Sequence, residues 1–242
     1  MISLDLEFLP TRRPAEVVVV FDVLRMTTTA CAAFSRGLRE LEVVADADAA
    51  RARARAADAL LFGERDGVPL PGFDGGNSPV ETLRLDLAGR RAVVCTTNGS
   101  RAVEAAAGAR HLLLGAVVNA AAVARFLLAL GARDVRLSCA GTVDRVSLDD
   151  VIGAAWVLKE LVAREAPLEL SDAALLALRL VEGHDEPHVL LEQAAHARFL
   201  HEIGFAEDVA YAARASVLDV VPWRHASDPP AFVVERPEAE RA

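Results

Sequence analysis

A chain of 242 residues with 53% hydrophobic side chains is long enough for one large α/β domain with a substantial core. Its formal charge of −9 and pI near 5.2 argue against a general nucleic-acid or anionic-membrane surface, so an anionic ligand would need focused arginines. Lys159 is the only lysine, which leaves no Schiff-base or Walker-type lysine elsewhere, and Cys31, Cys95 and Cys139 stand too far apart for a CxxC pair or a disulfide framework.

Ile2, Leu4 and Leu6 alternate up to Pro10 without the basic and apolar regions of an export signal, and no segment offers about twenty uninterrupted apolar residues. A reduced, cytoplasmic protein with neither a membrane nor a nucleic-acid partner is expected. Buried strands are predicted at Val17 to Phe21, Leu41 to Ala45, Leu60 to Phe62, Ala92 to Cys95, His111 to Leu114 and Val135 to Cys139. Ala-rich helices are predicted at Thr28 to Arg36, Ala47 to Ala59, Arg101 to Ala107 and Asn119 to Leu130. The alternation favours a three-layer α/β/α sandwich with a largely parallel or mixed central sheet. Val68 to Glu81, rich in Pro and Gly, reads as a loop of the length that often carries function. From about Asp149 to Tyr211 the chain becomes helix-rich, broken near Pro167 and Pro187. Val217 to Val221 and Ala231 to Val234 read as returning strands, with a turn at Asp228 to Pro230 and a frayed tail after Pro237. No repeat or linker divides residues 1–242, so a single domain is expected, and the apolar helices leave room for a homodimer.

Candidate chemistry gathers at strand ends, where open α/β sheets bind ligands. Asp22 and Arg25 follow the first of the predicted strands, with Thr27, Thr28 and Thr29 at a helix head. Asp22 is suited to metal ligation or nucleophilic attack and Arg25 to bidentate phosphate contact, although a capped helix with a neutralising arginine explains the same residues. Glu64 and Arg65 repeat the pattern, and the loop adds Asp74, Asn77 and Ser78. Thr96, Thr97, Asn98, Gly99 and Ser100 place hydroxyls and backbone amides at a strand-to-helix turn. That turn is either an ordinary cap or a phosphate cradle. Ser147 with Asp150 looks like a capping box, while Asp149 and Asp150 could also complete a hard-cation site of the kind Mg2+ favours. The six histidines lack HExxH spacing; His196 and His201 are candidates for anion contact or general acid.

Together the blocks Asp22 to Arg25 with Thr27 to Thr29, Gly63 to Arg65, Gly72 to Asp74 with Gly76 to Pro79, Thr96 to Gly99, Cys139 to Gly141 and Ser147 to Asp150 resemble the 2-phosphosulfolactate phosphatase family. A weaker C-terminal match rests on Leu170 to Ala173, His196, Gly204, Asp208 and Pro222. The resemblance implies a three-layer α/β fold and a magnesium-dependent phosphohydrolase that converts 2-phosphosulfolactate to 3-sulfolactate and phosphate, on the branch toward coenzyme M. Met26, Ser100 and Asp149 depart from the usual small residue, Thr and Glu.

The expected assignment makes Asp22, Arg25, Glu64 and Arg65 catalytic. It gives the phosphate of a small anionic monoester to Thr27, Thr28, Asn77, Ser78 and the segment Thr96, Thr97, Asn98, Gly99 and Ser100. Mg2+ falls to Asp22, Glu64, Asp74, Asp149 and Asp150. Two other readings remain at this stage. One is an isochorismatase-like cysteine hydrolase using Cys139 and Asp22; the other is a non-catalytic anion-binding module.

Overall fold

The apolar run Val17–Phe21 is buried along its whole length because it lies inside a sheet covered on both faces. The computed structural model describes residues 1–225 and 231–234. Its strands are β1 (Ile2–Glu7), β2 (Val17–Phe21), β3 (Glu40–Val43), β4 (Leu60–Arg65), β5 (Val68–Pro69), β6 (Arg91–Cys95), β7 (His111–Gly115), β8 (Asp134–Cys139), β9 (Leu168–Leu170), β10 (Trp223–His225) and β11 (Ala231–Phe232). The helices are α1 (Met26–Ser35), α2 (Ala47–Ala57), α3 (Pro79–Thr82), α4 (Gly99–Ala105), α5 (Ala120–Leu130), α6 (Leu148–Ala163), α7 (Asp172–Val181), α8 (His188–Leu191), α9 (Ala195–Glu202) and α10 (Ala206–Ala212).

The fold is α/β, with the layers expected, but the strands divide between two sheets rather than forming one. The larger runs β10-β7-β2-β8-β1-β9, parallel except for β10; the smaller runs β11-β3-β6-β4-β5, with β3, β6 and β4 parallel. Alternation along β2 shows how the layers are made. Val17, Val19 and Phe21 face a core shared with α5, α6 and α7, whereas Val18 and Val20 face α1, α4 and the inner side of the smaller sheet. The outer side of that second sheet is covered by Ala50 and Ala54 of α2.

Helix α6 is apolar on nearly every side and almost entirely buried, so it sits in the middle of its helical layer. It presses on the first sheet at Gly153, where an added Cβ would stand 2.5 Å from Val23 Cγ2. This close approach carries Asp149 and Asp150, at the head of α6, into the protein interior.

Three segments differ from their sequence expectation. Val217–Val221 is not a strand; its backbone is satisfied by other means, with Leu218 N–H donating to the Val118 carbonyl and Asn119 Nδ2 to the Val220 carbonyl, and the ladder begins only at Trp223. The helix-rich C-terminal portion contains one short strand, β9, which adds to the edge of the larger sheet beside β1. The loop from Val68 includes β5, and it ends in α3, whose N-cap Ser78 accepts from the Glu81 amide. The turn at Asp228 to Pro230 and the tail after Pro237 lie outside the described residues. No helix among the described residues is long and apolar enough to cross a membrane.

Candidate active site

Register brings the strand ends level. Phe21 pairs with Cys139 and Gly115 in the larger sheet, and Gly63 pairs with Cys95 in the smaller, so the chain leaves β2, β6 and β8 at one end while Glu64 and Arg65 carry β4 past β6 against β5. Between these strand ends lies a cavity of about 700 Å³ whose wall includes Asp22, Arg25, Glu64, Asn77, Thr97 and Asn98. Residues from four strand ends, distant in sequence, thus share one space.

Asp22 is buried at its floor. Its Oδ1 accepts from the Met26 amide at 3.2 Å, and the Gly99 amide also donates to the carboxylate. Burial pushes the Asp22 carboxyl up to about 7; the negative charges of Asp149 and Glu64 add to the rise, and the Met26 and Gly99 amides oppose it. Glycine is required at 99 because a Cβ there would stand 2.5 Å from Asp22 Oδ2 and 2.6 Å from Met26 Cε. Met26, one of the departures from the family pattern, therefore packs directly against this turn.

Glu64 bridges two loops: Oε1 accepts from the Thr97 amide at 2.8 Å and Oε2 from the Gly67 amide at 2.9 Å. Arg25, also buried, donates to Asp208 Oδ2 at 2.8 Å and to the Gly67 carbonyl at 2.6 Å, with its guanidinium carbon 4.2 Å from the Phe205 ring centroid. Asp208 further accepts from Ser78 Oγ at 2.6 Å. The Leu24–Arg25 peptide bond is cis.

Asp149 and Asp150 are bound to backbone. Asp149 Oδ2 accepts from the Leu24 amide at 3.1 Å and Oδ1 from Ser147 Oγ at 2.6 Å, while Asp150 accepts from the amides of Val23 at 2.9 Å and Gly141 at 2.9 Å. The expected Ser147–Asp150 capping box is replaced by these bonds, and Ser147 caps no amide of α6. Burial, with Asp149 and Asp22 beside it, raises the Asp150 carboxyl well above the usual carboxylate range, against the pull of the two amides. The pair acts as a clamp on the Val23–Leu24 turn.

Other expected site residues stand elsewhere. Asp74 is exposed and accepts from the Leu61 amide, which holds the loop to β4 and away from the cavity wall. Arg65 turns from the cavity to the Glu64 and Ala45 carbonyls. Thr27 and Thr28 donate to the Asp22 and Val23 carbonyls, and the Thr96 and Ser100 side chains each bond the other's backbone amide, so these four hydroxyls shape the turns without lining the cavity. Two wall residues, Asn77 and Thr97, each carry a side-chain oxygen, Oδ1 and Oγ1, that is buried without a hydrogen-bond partner among the described residues. Such atoms fit a ligand that would complete them.

Cys139 is buried and lies off the cavity wall. Burial, reinforced by Asp150, Asp149 and Glu7, raises its thiol well above the ordinary range, which removes it as the nucleophile expected in the cysteine-hydrolase reading. His201 is paired with Glu192 at 2.9 Å away from the wall, whereas His196 does line it, with Nδ1 3.5 Å from Thr142 Oγ1.

Sequence reasoning missed the hairpin that follows Gly141. Thr142, Val143, Arg145 and Val146 form one rim of the cavity, faced by Phe199 of α9. Only Gly141 after the apolar strand marked a turn there, and nothing marked which side chains would face the cavity.

The profile of the 2-phosphosulpholactate phosphatase family matches residues 5–226. The chain belongs to that family. It is similar to proteins named as probable 2-phosphosulfolactate phosphatases in Deinococcus radiodurans, at 42% identity over 90% of this chain and 92% of the relative, and in Carboxydothermus hydrogenoformans, at 39% identity over 92% and 93%. The namesake of Thermus thermophilus is 38% identical over 86% of this chain and 87% of its own. The family match spans all the strand-end turns described above, so the cavity they enclose is made of family sequence.

A divalent ion is the cofactor that the resemblance implies. Among the described residues no group of three or more His, Cys, Asp and Glu side chains is arranged to hold a metal ion. The residues present nevertheless fit a more open mode in which one or two carboxylates suffice. Asp22 and Glu64 share the wall as two carboxylates, and an ion between them would offset the Glu64 charge that adds to the burial-driven rise at Asp22. Asp74, Asp149 and Asp150 do not join them.

Proposed function

We propose that the cavity hydrolyses a small phosphomonoester, 2-phospho-3-sulfolactate, to 3-sulfolactate and inorganic phosphate, and that it depends on Mg2+. The observation that carries this reading is the meeting, in one cavity, of a buried carboxylate pair, Asp22 and Glu64, with the orphaned polar atoms of Asn77 and Thr97. Water attacks phosphorus, the bond between phosphorus and the lactate oxygen breaks, and that oxygen leaves with a proton as the alcohol. Asp22 and Glu64 would hold Mg2+, which supplies Lewis-acid polarisation of the phosphate oxygens. Thr97 Oγ1 would donate to the phosphate, and Asn77 Oδ1, which only accepts, would orient the attacking water, with Asn98 beside them on the wall. Arg25, paired with Asp208, would brace the Gly67 turn whose amide holds Glu64. Asp149 and Asp150 position Asp22 indirectly, by fixing the turn that follows it.

The reading carries with it one cytoplasmic enzyme domain spanning the chain and acting in the branch toward coenzyme M. Phosphate release from synthetic 2-phospho-3-sulfolactate by purified protein tests it. Release should require Mg2+, stop with EDTA and return on adding Mg2+. No release with any divalent ion, from this ester or from simpler phosphomonoesters, would defeat it.

A further inference from the structure

The charge on the cavity wall is unbalanced in an informative way. Asp22, Glu64 and Asp66 are acidic, and Arg25 is spent on Asp208 and the Gly67 carbonyl. Arg145 is different: it lines the cavity, is exposed, and its side chain meets no hydrogen-bond or ion-pair partner among the described residues. Its backbone is firmly held. The Arg145 amide donates to the Thr142 carbonyl at 3.1 Å and its carbonyl accepts from the Thr142 amide at 2.8 Å. The hairpin is in turn tied to the Thr97–Asn98 turn, since the Val143 amide donates to Asn98 Oδ1 at 3.2 Å and Asp144 pairs with Arg101 at 3.1 Å.

An unspent guanidinium on an anchored hairpin, opposite an acidic floor, is suited to holding an oxyanion at a set distance from the reacting phosphate. We propose that Arg145 is the specificity anchor for a second acidic group of the substrate, a carboxylate or sulfonate carried beyond the phosphate ester. This rests on the phosphomonoester reading. His196, beside Thr142 on the same rim, offers a further donor to that group.

The test compares wild type with Arg145→Gln on three esters: 2-phospholactate, which carries a carboxylate; the phosphate ester of 2-hydroxyethanesulfonate, which carries a sulfonate; and ethyl phosphate, which carries neither. KM should rise about tenfold or more for at least one acid-bearing ester, with kcat little altered, while ethyl phosphate loses no more than about twofold, and Arg145→Lys should restore part of the loss. Which acid-bearing ester responds tells carboxylate from sulfonate. Equal losses on all three esters, or none on any, would overturn the proposal.

Calorimetric binding of 3-sulfolactate, which has no phosphate, reads the anchor without turnover. Arg145→Gln should weaken it about tenfold, and equal affinity in the two proteins would count as failure. Arg145-dependent binding in a protein that hydrolyses no ester would defeat the phosphatase reading and leave the anchor standing.

Discussion

The floor and the rim of the cavity are built on opposite principles. On the floor the charged groups are buried and already bonded, Glu64 to two amides and Arg25 to Asp208, and just behind it Asp150 is bonded to two more amides. On the rim, Val143, Arg145 and Val146 are exposed, and Arg145 is uncommitted. A floor whose dipoles are fixed before substrate arrives suits chemistry, because no reorganisation is needed when charge develops on phosphorus. A rim with free donors suits selection among substrates. The acids nearest the chemistry are held mainly by backbone amides, so their positions depend on the folding of loops more than on side-chain partners.

The largest effect should come from the floor. Asp22→Asn is expected to lower kcat by about a thousandfold or more in phosphate-release assays, while the protein stays folded. In metal-free protein the same variant separates electrostatics from catalysis. The native Asp22 carboxyl stands at about 7, above the ordinary value of about 3.9, so its protonated form favours the fold. That contribution is fully present below about pH 4 and is lost as pH rises through about 7. Wild type should therefore lose up to about 4 kcal/mol relative to Asp22→Asn across this range, as measured by denaturant unfolding. A constant gap between the two proteins from pH 4 to 8 would contradict the buried-carboxylate account.

Asp208→Ala should cost about 3–5 kcal/mol in unfolding free energy, because it leaves the buried Arg25 guanidinium without its ionic partner. Activity should fall with it at temperatures where the variant is still folded, since Arg25 loses its orientation. A loss under about 1 kcal/mol would mean that water or another group readily replaces Asp208. Thr97→Val, which removes a hydroxyl that has no internal partner, should leave stability nearly unchanged and raise KM about tenfold.

These differences also explain what could be read from the sequence. Val17–Phe21, Ala92–Cys95 and Val135–Cys139 announced themselves as strands because burial on both faces demands unbroken apolar runs. Asp22, Thr97 and Asn98 could then be placed at strand exits by chain order alone, whereas Glu64, expected just past a strand ending at Phe62, lies within β4. The division into two sheets was hidden, since an apolar run says that a strand is buried and not which strand it pairs with. The tasks of Asp149 and Asp150 were hidden for a similar reason. Their partners at Leu24 and Val23 lie 125 and 127 residues away, and they meet through tertiary packing such as that of Gly153 on Val23. Arg145 carried no mark at all, because a free surface arginine and a ligand-binding one look alike until the cavity beside it is seen.

The smallest expected effect concerns a residue between the two regions in sequence but in neither in space. Cys139 ends β8, one residue from Ala140 and two from the glycine that opens the rim hairpin, so a thiol nucleophile there was a reasonable rival to metal-assisted hydrolysis. In the fold its side chain points into the core shared by α5 and α6, and burial together with nearby carboxylates holds it in the thiol form. Cys139→Ala should keep kcat within about twofold of wild type and cost about 1 kcal/mol or less in stability, since it removes one buried sulfur and leaves no polar group unpaired. Iodoacetamide should leave native protein unlabelled at pH 8 and label it fully in denaturant, because only an exposed thiolate reacts. Rapid native labelling of Cys139 coupled to loss of phosphate release would return the chemistry from the carboxylates of the floor to the thiol.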